Sequence, residues 1–131
     1  EERALDLAAL EAVHGAKTGA LLTGALRLGA RAAGAEDQRL DAITRYGRSL
    51  GLAFQIADDV LDVVSESAIL GKPAGSDLAL GKSTYPALLG VAGARQRARE
   101  EVDKAVAALR AGGLATPELE ALAAYAVERE R

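Results

Sequence analysis

Three aspartates occupy the middle of an otherwise apolar stretch, "QIADDVLDVV" at residues 55–64. Asp58, Asp59 and Asp62 lie at positions i, i+1 and i+4, so in a helix they project from neighbouring parts of one face. Gln55 precedes them by one to two turns and can join the same polar stripe. No basic residue lies within one helical turn to neutralise the carboxylates. The pattern indicates either a face in water or a site for a cation.

A metal site is the chemical interpretation of this stripe. Magnesium prefers oxygen ligands and commonly takes one or two carboxylates, with water and substrate phosphates completing its coordination. An acid cluster on a helix is more often a solvated face, and short motifs of this kind give many false positives. The apolar flanks favour a site, because a solvated face continues with polar residues a turn away. Spacing alone leaves both interpretations open.

The lysines add an independent indication. The chain has four lysines and twelve arginines, and three of the lysines stand beside glycines or hydroxyl residues. These are Lys17 in "HGAKTGA", Lys72 in "LGKPAGSD" and Lys82 in "LGKSTYP". A compact ammonium next to flexible backbone can approach a phosphate closely. Lys72 and Lys82 could equally be ordinary surface residues of a loop, but together with a magnesium site the lysines indicate a polyphosphate ligand.

Composition excludes several classes of protein. Half of the residues are hydrophobic and only 3% are aromatic, with alanine and leucine dominant, so we expect one all-α domain. A net charge of −3 argues against a nucleic-acid partner. No apolar run reaches the roughly 18 residues that span a bilayer, and we expect no membrane span. The absence of cysteine excludes disulfides, and we expect a cytoplasmic protein because no signal peptide is recognisable.

The elements that must position these residues follow from apolar spacing, glycines and prolines. We expect one or two helices over 4–33, a long helix over 36–65 and a loop over 67–86. The next helix should be capped by Ser83 or Thr84, carry Pro86 in its first turn and reach Arg110. A last helix should start at Thr116 and Pro117. Gly47 and Gly51 inside the long helix predict a close helix contact or a bend.

The remaining polar residues with possible chemistry have simpler interpretations. His14 is the only histidine and is predicted to be a helix-face residue near a turn. Tyr46, Tyr85 and Tyr125 are predicted to be packing residues with a polar tip. The chain contains no methionine and opens in a helical pattern, so we expect residues 1–131 to be the C-terminal portion of one longer domain.

The stretch "GLAFQIADDVLDV", with "AKTG" upstream and "GKPAGSDLALGKSTYP" downstream, resembles the second half of trans-type isoprenyl (polyprenyl) diphosphate synthases. The segments "HGAKTGALL" and "GKSTYPALLG" are most similar to bacterial farnesyl diphosphate synthases. The resemblance covers essentially the whole chain. It implies an all-α helical bundle of the isoprenoid synthase type, present as its C-terminal part.

The resemblance also implies roles for individual residues. Asp58, Asp59 and Asp62 would be the second aspartate-rich motif, which binds Mg²⁺ or Mn²⁺ with Asp58 as the main ligand. Lys17, Lys72 and Lys82 would contact the diphosphate, and Thr18 and Gln55 would line the site near the developing carbocation. The implied catalytic residues are Asp58, Lys17 and Lys82.

The implied reaction is condensation of an allylic diphosphate with isopentenyl diphosphate, giving farnesyl diphosphate, by an enzyme that forms a homodimer. The family's first aspartate-rich motif and its isopentenyl diphosphate site belong to an N-terminal half that this sequence does not contain, so we expect the chain alone to be inactive. The alternatives are a geranylgeranyl diphosphate synthase, a non-catalytic helical subunit that regulates a prenyltransferase, a terpene cyclase, and a helical bundle without a site.

Overall fold

The structure is a computed structural model, and it describes residues 5–70 and 83–128. Its elements are α1 (Leu7–His14), a π-helix (Gly15–Gly19), α2 (Ala20–Ala32), α3 (Asp37–Leu70), α4 (Tyr85–Ala111) and α5 (Pro117–Glu128). These ranges contain no strand, which confirms the predicted all-α class. No helix within them combines the length and the hydrophobicity needed to cross a bilayer.

Helix α3 is the centre of the bundle and packs most extensively against α4 and then against α2. One buried cluster joins α3 to α4 and α5 and includes Tyr46, Leu109 and Ala123. A second cluster joins α1, α3 and α4 and includes Leu10 and Ile56. Burial of such side chains contributes about 1.5 to 3 kcal/mol each. The second cluster brings α1 and the start of α4 against the part of α3 that carries the aspartates.

Two glycines allow α3 to approach the preceding helices closely. A Cβ atom placed on Gly51 would lie 2.6 Å from the Cα atom of Gly19, and one on Gly47 would lie 2.9 Å from the Cα atom of Thr23. Real Cβ atoms do not approach other atoms this closely, so a side chain at either position would push the helices apart. The close contact predicted from Gly47 and Gly51 is confirmed, and it aligns the π-helix with the middle of α3.

The structure confirms most of the predicted helix ends. Thr84 is the N-cap of α4, its Oγ1 accepting from the Ala87 N–H at 3.3 Å, and Pro86 lies in the first turn, as predicted. The prediction of loop from residue 67 is wrong for 67–70, which continue α3. Ser67 donates its hydroxyl to the Val63 carbonyl at 2.8 Å, so this serine is satisfied inside the helix. Residues 71–82 lie outside the described part of the chain.

Helix α4 bends after its first turn. Gly90 adopts φ 72° and ψ 165°, a conformation that side-chain-bearing residues rarely adopt. The bend separates the short turn beginning at Tyr85 from the long remainder of α4. The sequence analysis did not predict it.

The three tyrosines differ in burial. Tyr46 and Tyr85 are fully buried, as predicted for packing residues, and the Tyr46 hydroxyl donates to the Leu119 carbonyl at 2.8 Å. Tyr125 is 64% exposed, so its predicted packing role is wrong within the described structure. The reason is the register of α5, which turns Ala123 and Ala126 towards the core and Tyr125 away from it.

An ion-pair network ties α1 to α4. Arg97 pairs with Glu11 at 2.9 Å and with Glu101 at 2.9 Å, and Lys104 pairs with Glu101 at 2.7 Å. Glu101 is 4% exposed, so its carboxylate depends on these partners for its stability. The Arg97–Glu11 pair thus connects α1 to α4.

Candidate functional site

The π-helix carries two of the residues predicted to form the site. It spans Gly15–Gly19, "GAKTG", and interrupts the α-helical pattern with a wider turn. Single π-helical turns inside α-helices are frequent at functional sites. Lys17 is exposed and Thr18 is half-buried. Thr18 donates its hydroxyl to Gln55 Oε1 at 3.2 Å. The structure therefore joins Thr18 and Gln55, although they are 37 residues apart in the sequence.

Asp59 lies at the end of the same hydrogen-bonded chain. Gln55 Nε2 donates to Asp59 Oδ1 at 3.4 Å, and the backbone N–H of Tyr85 donates to Asp59 Oδ2 at 3.1 Å. The residue is only 9% exposed. Burial raises the pKa of Asp59 from its ordinary value, and the Tyr85 N–H opposes that rise. Both oxygens of this carboxylate are thus engaged by the protein.

His14 and Tyr85 complete the surroundings of Asp59. His14 Nε2 is 3.9 Å from Asp59 Oδ2, and the His14 ring stacks on Tyr85 with centroids 5.6 Å apart. His14 Nε2 and the Tyr85 hydroxyl are buried and have no hydrogen-bond partner among the residues that the structure describes. Burial lowers the pKa of His14, with the Lys17 charge adding to that effect and Asp59 opposing it. We infer that His14 is largely neutral at pH 7.

The sequence analysis missed these two residues as members of the site. His14 stands three residues before Lys17, and this helical spacing was the one signal that could have linked it to the π-helix. Tyr85 follows Asp59 by 26 residues, and no local pattern relates them. Their contact depends on how α4 packs against α3.

The depressed pKa of His14 predicts how stability changes with pH. The unfolded chain protonates His14 near its ordinary pKa of 6.5, whereas the folded chain protonates it only at lower pH. The free energy of unfolding should therefore fall as the pH drops through 6.5 towards the folded pKa. His14→Phe keeps a ring against Tyr85 and removes the titration. Urea unfolding from about pH 7.5 to about pH 5.5 should show a smaller loss in this variant than in the parent. Equal losses would contradict the prediction.

Asp58 and Asp62 are placed differently from Asp59. Asp58 is half-buried and Asp62 is exposed. In a helix, residues four apart have Cβ atoms about 5 to 6 Å from each other, so the two carboxylates are neighbours. No three acidic or histidine side chains within 5–70 and 83–128 are arranged as a ready metal centre. A pair of carboxylates one turn apart fits magnesium, which takes its other ligands from water and substrate phosphates.

Two predicted site residues, Lys72 and Lys82, lie outside the described residues. The first described residue after them is Ser83, whose hydroxyl accepts from the Leu5 N–H at 2.8 Å. The predicted contacts of Lys72 and Lys82 with a diphosphate stay predictions.

A cavity of about 720 Å³ lies on another face of α3, between α3, α4 and α5. Its lining combines apolar residues such as Val60 and Val102 with the exposed Arg95 and Arg99. None of the aspartates of the acid motif lines this cavity. The cavity is therefore separate from the array around Asp59.

Comparison with known proteins shows which family the chain resembles. Residues 1–113 match the polyprenyl synthetase family. The chain is 49% identical over 135 residues to farnesyl diphosphate synthase of Escherichia coli (strain K12), covering 100% of this chain and 45% of that protein. It is 46% identical over 111 residues to farnesyl diphosphate synthase of Haemophilus influenzae, covering 83% of this chain and 38% of that protein. A solved FPP/GFPP synthase from Zymomonas mobilis superposes with a TM-score of 0.74 at 32% identity, covering 97% of this chain and 40% of that one. The chain spans less than half the length of these relatives.

Proposed function

The chain belongs to the polyprenyl synthetase family, and we propose that it is the C-terminal portion of a prenyltransferase that condenses an allylic diphosphate with isopentenyl diphosphate. The observation that carries this proposal is the hydrogen-bonded chain from Thr18 through Gln55 to Asp59, which joins the π-helix to the aspartate-bearing part of α3. This hydrogen-bonded chain joins hydroxyl, amide and carboxylate groups, and Lys17 precedes Thr18 in the same π-helix. Such groups support the proposal, because a metal diphosphate is bound by carboxylates and cationic donors.

Each side chain has a proposed task. Asp58, with Asp62 one turn later, would hold Mg²⁺ or Mn²⁺. Magnesium, when bound, stabilises the negative charge that accumulates on the departing diphosphate. Lys17, with Lys72 and Lys82, would hold the diphosphate oxygens as point charges. Thr18 and Gln55 would face the allylic carbon, and because they already hydrogen-bond to each other they need little reorganisation.

The reaction balances without a protein nucleophile. The allylic carbon–oxygen bond breaks to give diphosphate and an allylic cation, and the double bond of isopentenyl diphosphate attacks that cation. The proton then lost passes to the released diphosphate. We propose farnesyl diphosphate as the product, with a geranylgeranyl diphosphate synthase as the alternative, and a cytoplasmic homodimer as the working form.

An elongation assay tests the proposal. The full-length protein, incubated with radiolabelled isopentenyl diphosphate, an allylic diphosphate and magnesium, should release a longer prenyl diphosphate. Residues 1–131 alone should release none, because each magnesium ion takes about six oxygens and one helix cannot surround several ions and a diphosphate. The cation would also be open to water.

Two results would contradict parts of this account. A full-length protein that incorporates no label under these conditions would favour the non-catalytic subunit. Elongation by residues 1–131 at a rate comparable with the full-length protein would show that a facing metal motif is not required.

A further inference from the structure

Asp59 is the most buried of the three aspartates in the acid motif, and protein donors engage both of its carboxylate oxygens. Its Oδ1 accepts from Gln55 Nε2 at 3.4 Å, and its Oδ2 accepts from the Tyr85 N–H at 3.1 Å. It is 9% exposed, whereas Asp62 is exposed and Asp58 is half-buried. A carboxylate that binds magnesium must present an oxygen to the ion, and Asp59 presents its oxygens to protein donors.

We propose that Asp59 is a positioning residue that anchors the start of α4, and that Asp58 and Asp62 bind the metal without it. The inference rests on the proposed function, because it concerns how the same acid motif is divided between two tasks. It assigns the conspicuous central aspartate of "ADDVLD" to the architecture of the site.

The start of α4 needs such an anchor. The first N–H groups of a helix have no partner within it, and their dipole favours a negative charge nearby. Thr84 Oγ1 accepts from the Ala87 N–H at 3.3 Å, and Asp59 accepts from the Tyr85 N–H. Asp59 therefore satisfies a backbone donor of α4 and supplies the favourable charge. This contact joins α3 and α4 across 26 residues of sequence.

Two further contacts attach residues 83–85 to the N-terminal part of the chain. The Tyr85 ring stacks on His14, and the Ser83 hydroxyl accepts from the Leu5 N–H at 2.8 Å. Residues 83–85 are thus attached to α3 through Asp59 and to the N-terminal part of the chain through His14 and Leu5.

Matched substitutions in the full-length protein separate an anchor from a ligand. Asp59→Asn keeps an oxygen that can accept from the Tyr85 N–H but removes the negative charge, and Asp59→Ala removes both. Asp58→Asn is the same chemical change at the proposed ligand. The probe is Mn²⁺ with inorganic diphosphate, and free Mn²⁺ is followed by electron paramagnetic resonance.

If Asp59 anchors α4, the variants should differ in a specific order in Mn²⁺ affinity, stability and kcat. Asp59→Asn should bind Mn²⁺ within about threefold of the parent, whereas Asp58→Asn should bind it at least about tenfold more weakly. Asp59→Ala should lower the urea midpoint of unfolding and reduce kcat further than Asp59→Asn does, because an alanine leaves the Tyr85 N–H unsatisfied. The partial rescue by asparagine is the signature of a hydrogen-bonding role.

The outcomes are distinguishable. If Asp59→Asn loses Mn²⁺ affinity as far as Asp58→Asn does, then Asp59 is a ligand and the inference is wrong. If Asp59→Ala has the urea midpoint of the parent and the kcat of Asp59→Asn, then the proposed anchoring role of Asp59 is wrong. If Asp59→Ala does not fold while Asp59→Asn does, the anchor is supported, and the asparagine variant alone decides the metal question. Parent-like Mn²⁺ binding by both Asp58→Asn and Asp62→Asn would overturn the proposed metal site itself.

Discussion

Replacement of Asp58 by alanine in the full-length protein is expected to lower kcat by a factor of hundreds while the KM for the allylic diphosphate changes little. The proposed metal stabilises charge that grows as the diphosphate departs, so losing its ligand affects the transition state more than the bound substrate. Loss of one such electrostatic contact typically costs about 3 to 4 kcal/mol. Lys82→Ala should show a similar but smaller effect, because it removes one point charge and leaves the metal in place.

The measurement is a set of steady-state elongation rates at saturating magnesium. Asp41→Ala is a matched control, because Asp41 is exposed near the start of the same helix and has no proposed role. It should keep the parent kcat. An Asp58→Ala protein with unchanged kcat would refute the assignment of Asp58 as the main metal ligand.

Replacement of Gly51 by alanine is expected to destabilise the protein by about 2 kcal/mol, which is unusual for a substitution that adds one methyl group inside a helix. The new Cβ would lie 2.6 Å from the Cα atom of Gly19, and a backbone atom cannot move aside as a flexible side chain can. The helices would have to separate where Thr18 donates to Gln55. We therefore expect kcat to fall together with the free energy of unfolding.

Gly29→Ala provides the opposite case with the same chemical change. Gly29 lies inside α2, and a Cβ atom there meets nothing within 4 Å of it in the described structure. Alanine is favoured over glycine in a helix interior by about 1 kcal/mol, so this variant should be more stable than the parent. Urea unfolding of the two variants should give changes of opposite sign. Stabilisation by both substitutions would show that α3 does not approach the π-helix as closely as the structure indicates.

Local sequence patterns predicted most of the helices. The cap and first turn of α4 follow from Thr84 and Pro86, and the start of α5 follows from Pro117, because capping and proline chemistry act within one turn. The continuation of α3 to Leu70 was not predicted, because the glycines and prolines of the following stretch indicated a loop from residue 67 onwards. Ser67 is nevertheless satisfied within the helix. The bend at Gly90 was also missed, since an isolated glycine inside a helical pattern has several possible roles.

The candidate site was predictable as a set of residue types. The spacing of Asp58, Asp59 and Asp62 and the lysine and threonine of "AKTG" are properties of the sequence, and helical geometry alone places the three aspartates within an arc of about 100°. Glycines at 47 and 51 predicted a close helix contact or a bend, and the structure shows the close contact.

Only the tertiary structure distinguished Asp59 from the other two aspartates. Asp58 and Asp59 lie at the two edges of that arc, and the start of α4 covers the edge that carries Asp59. His14 reaches Asp59 across 45 residues and Tyr85 reaches it across 26, because the second core cluster packs α1 and α4 against α3. The spacing of residues in the sequence predicts which face of a helix each residue occupies. The same spacing cannot predict which distant helix will cover that face, because the packing of the helices depends on how the whole bundle buries its apolar surface.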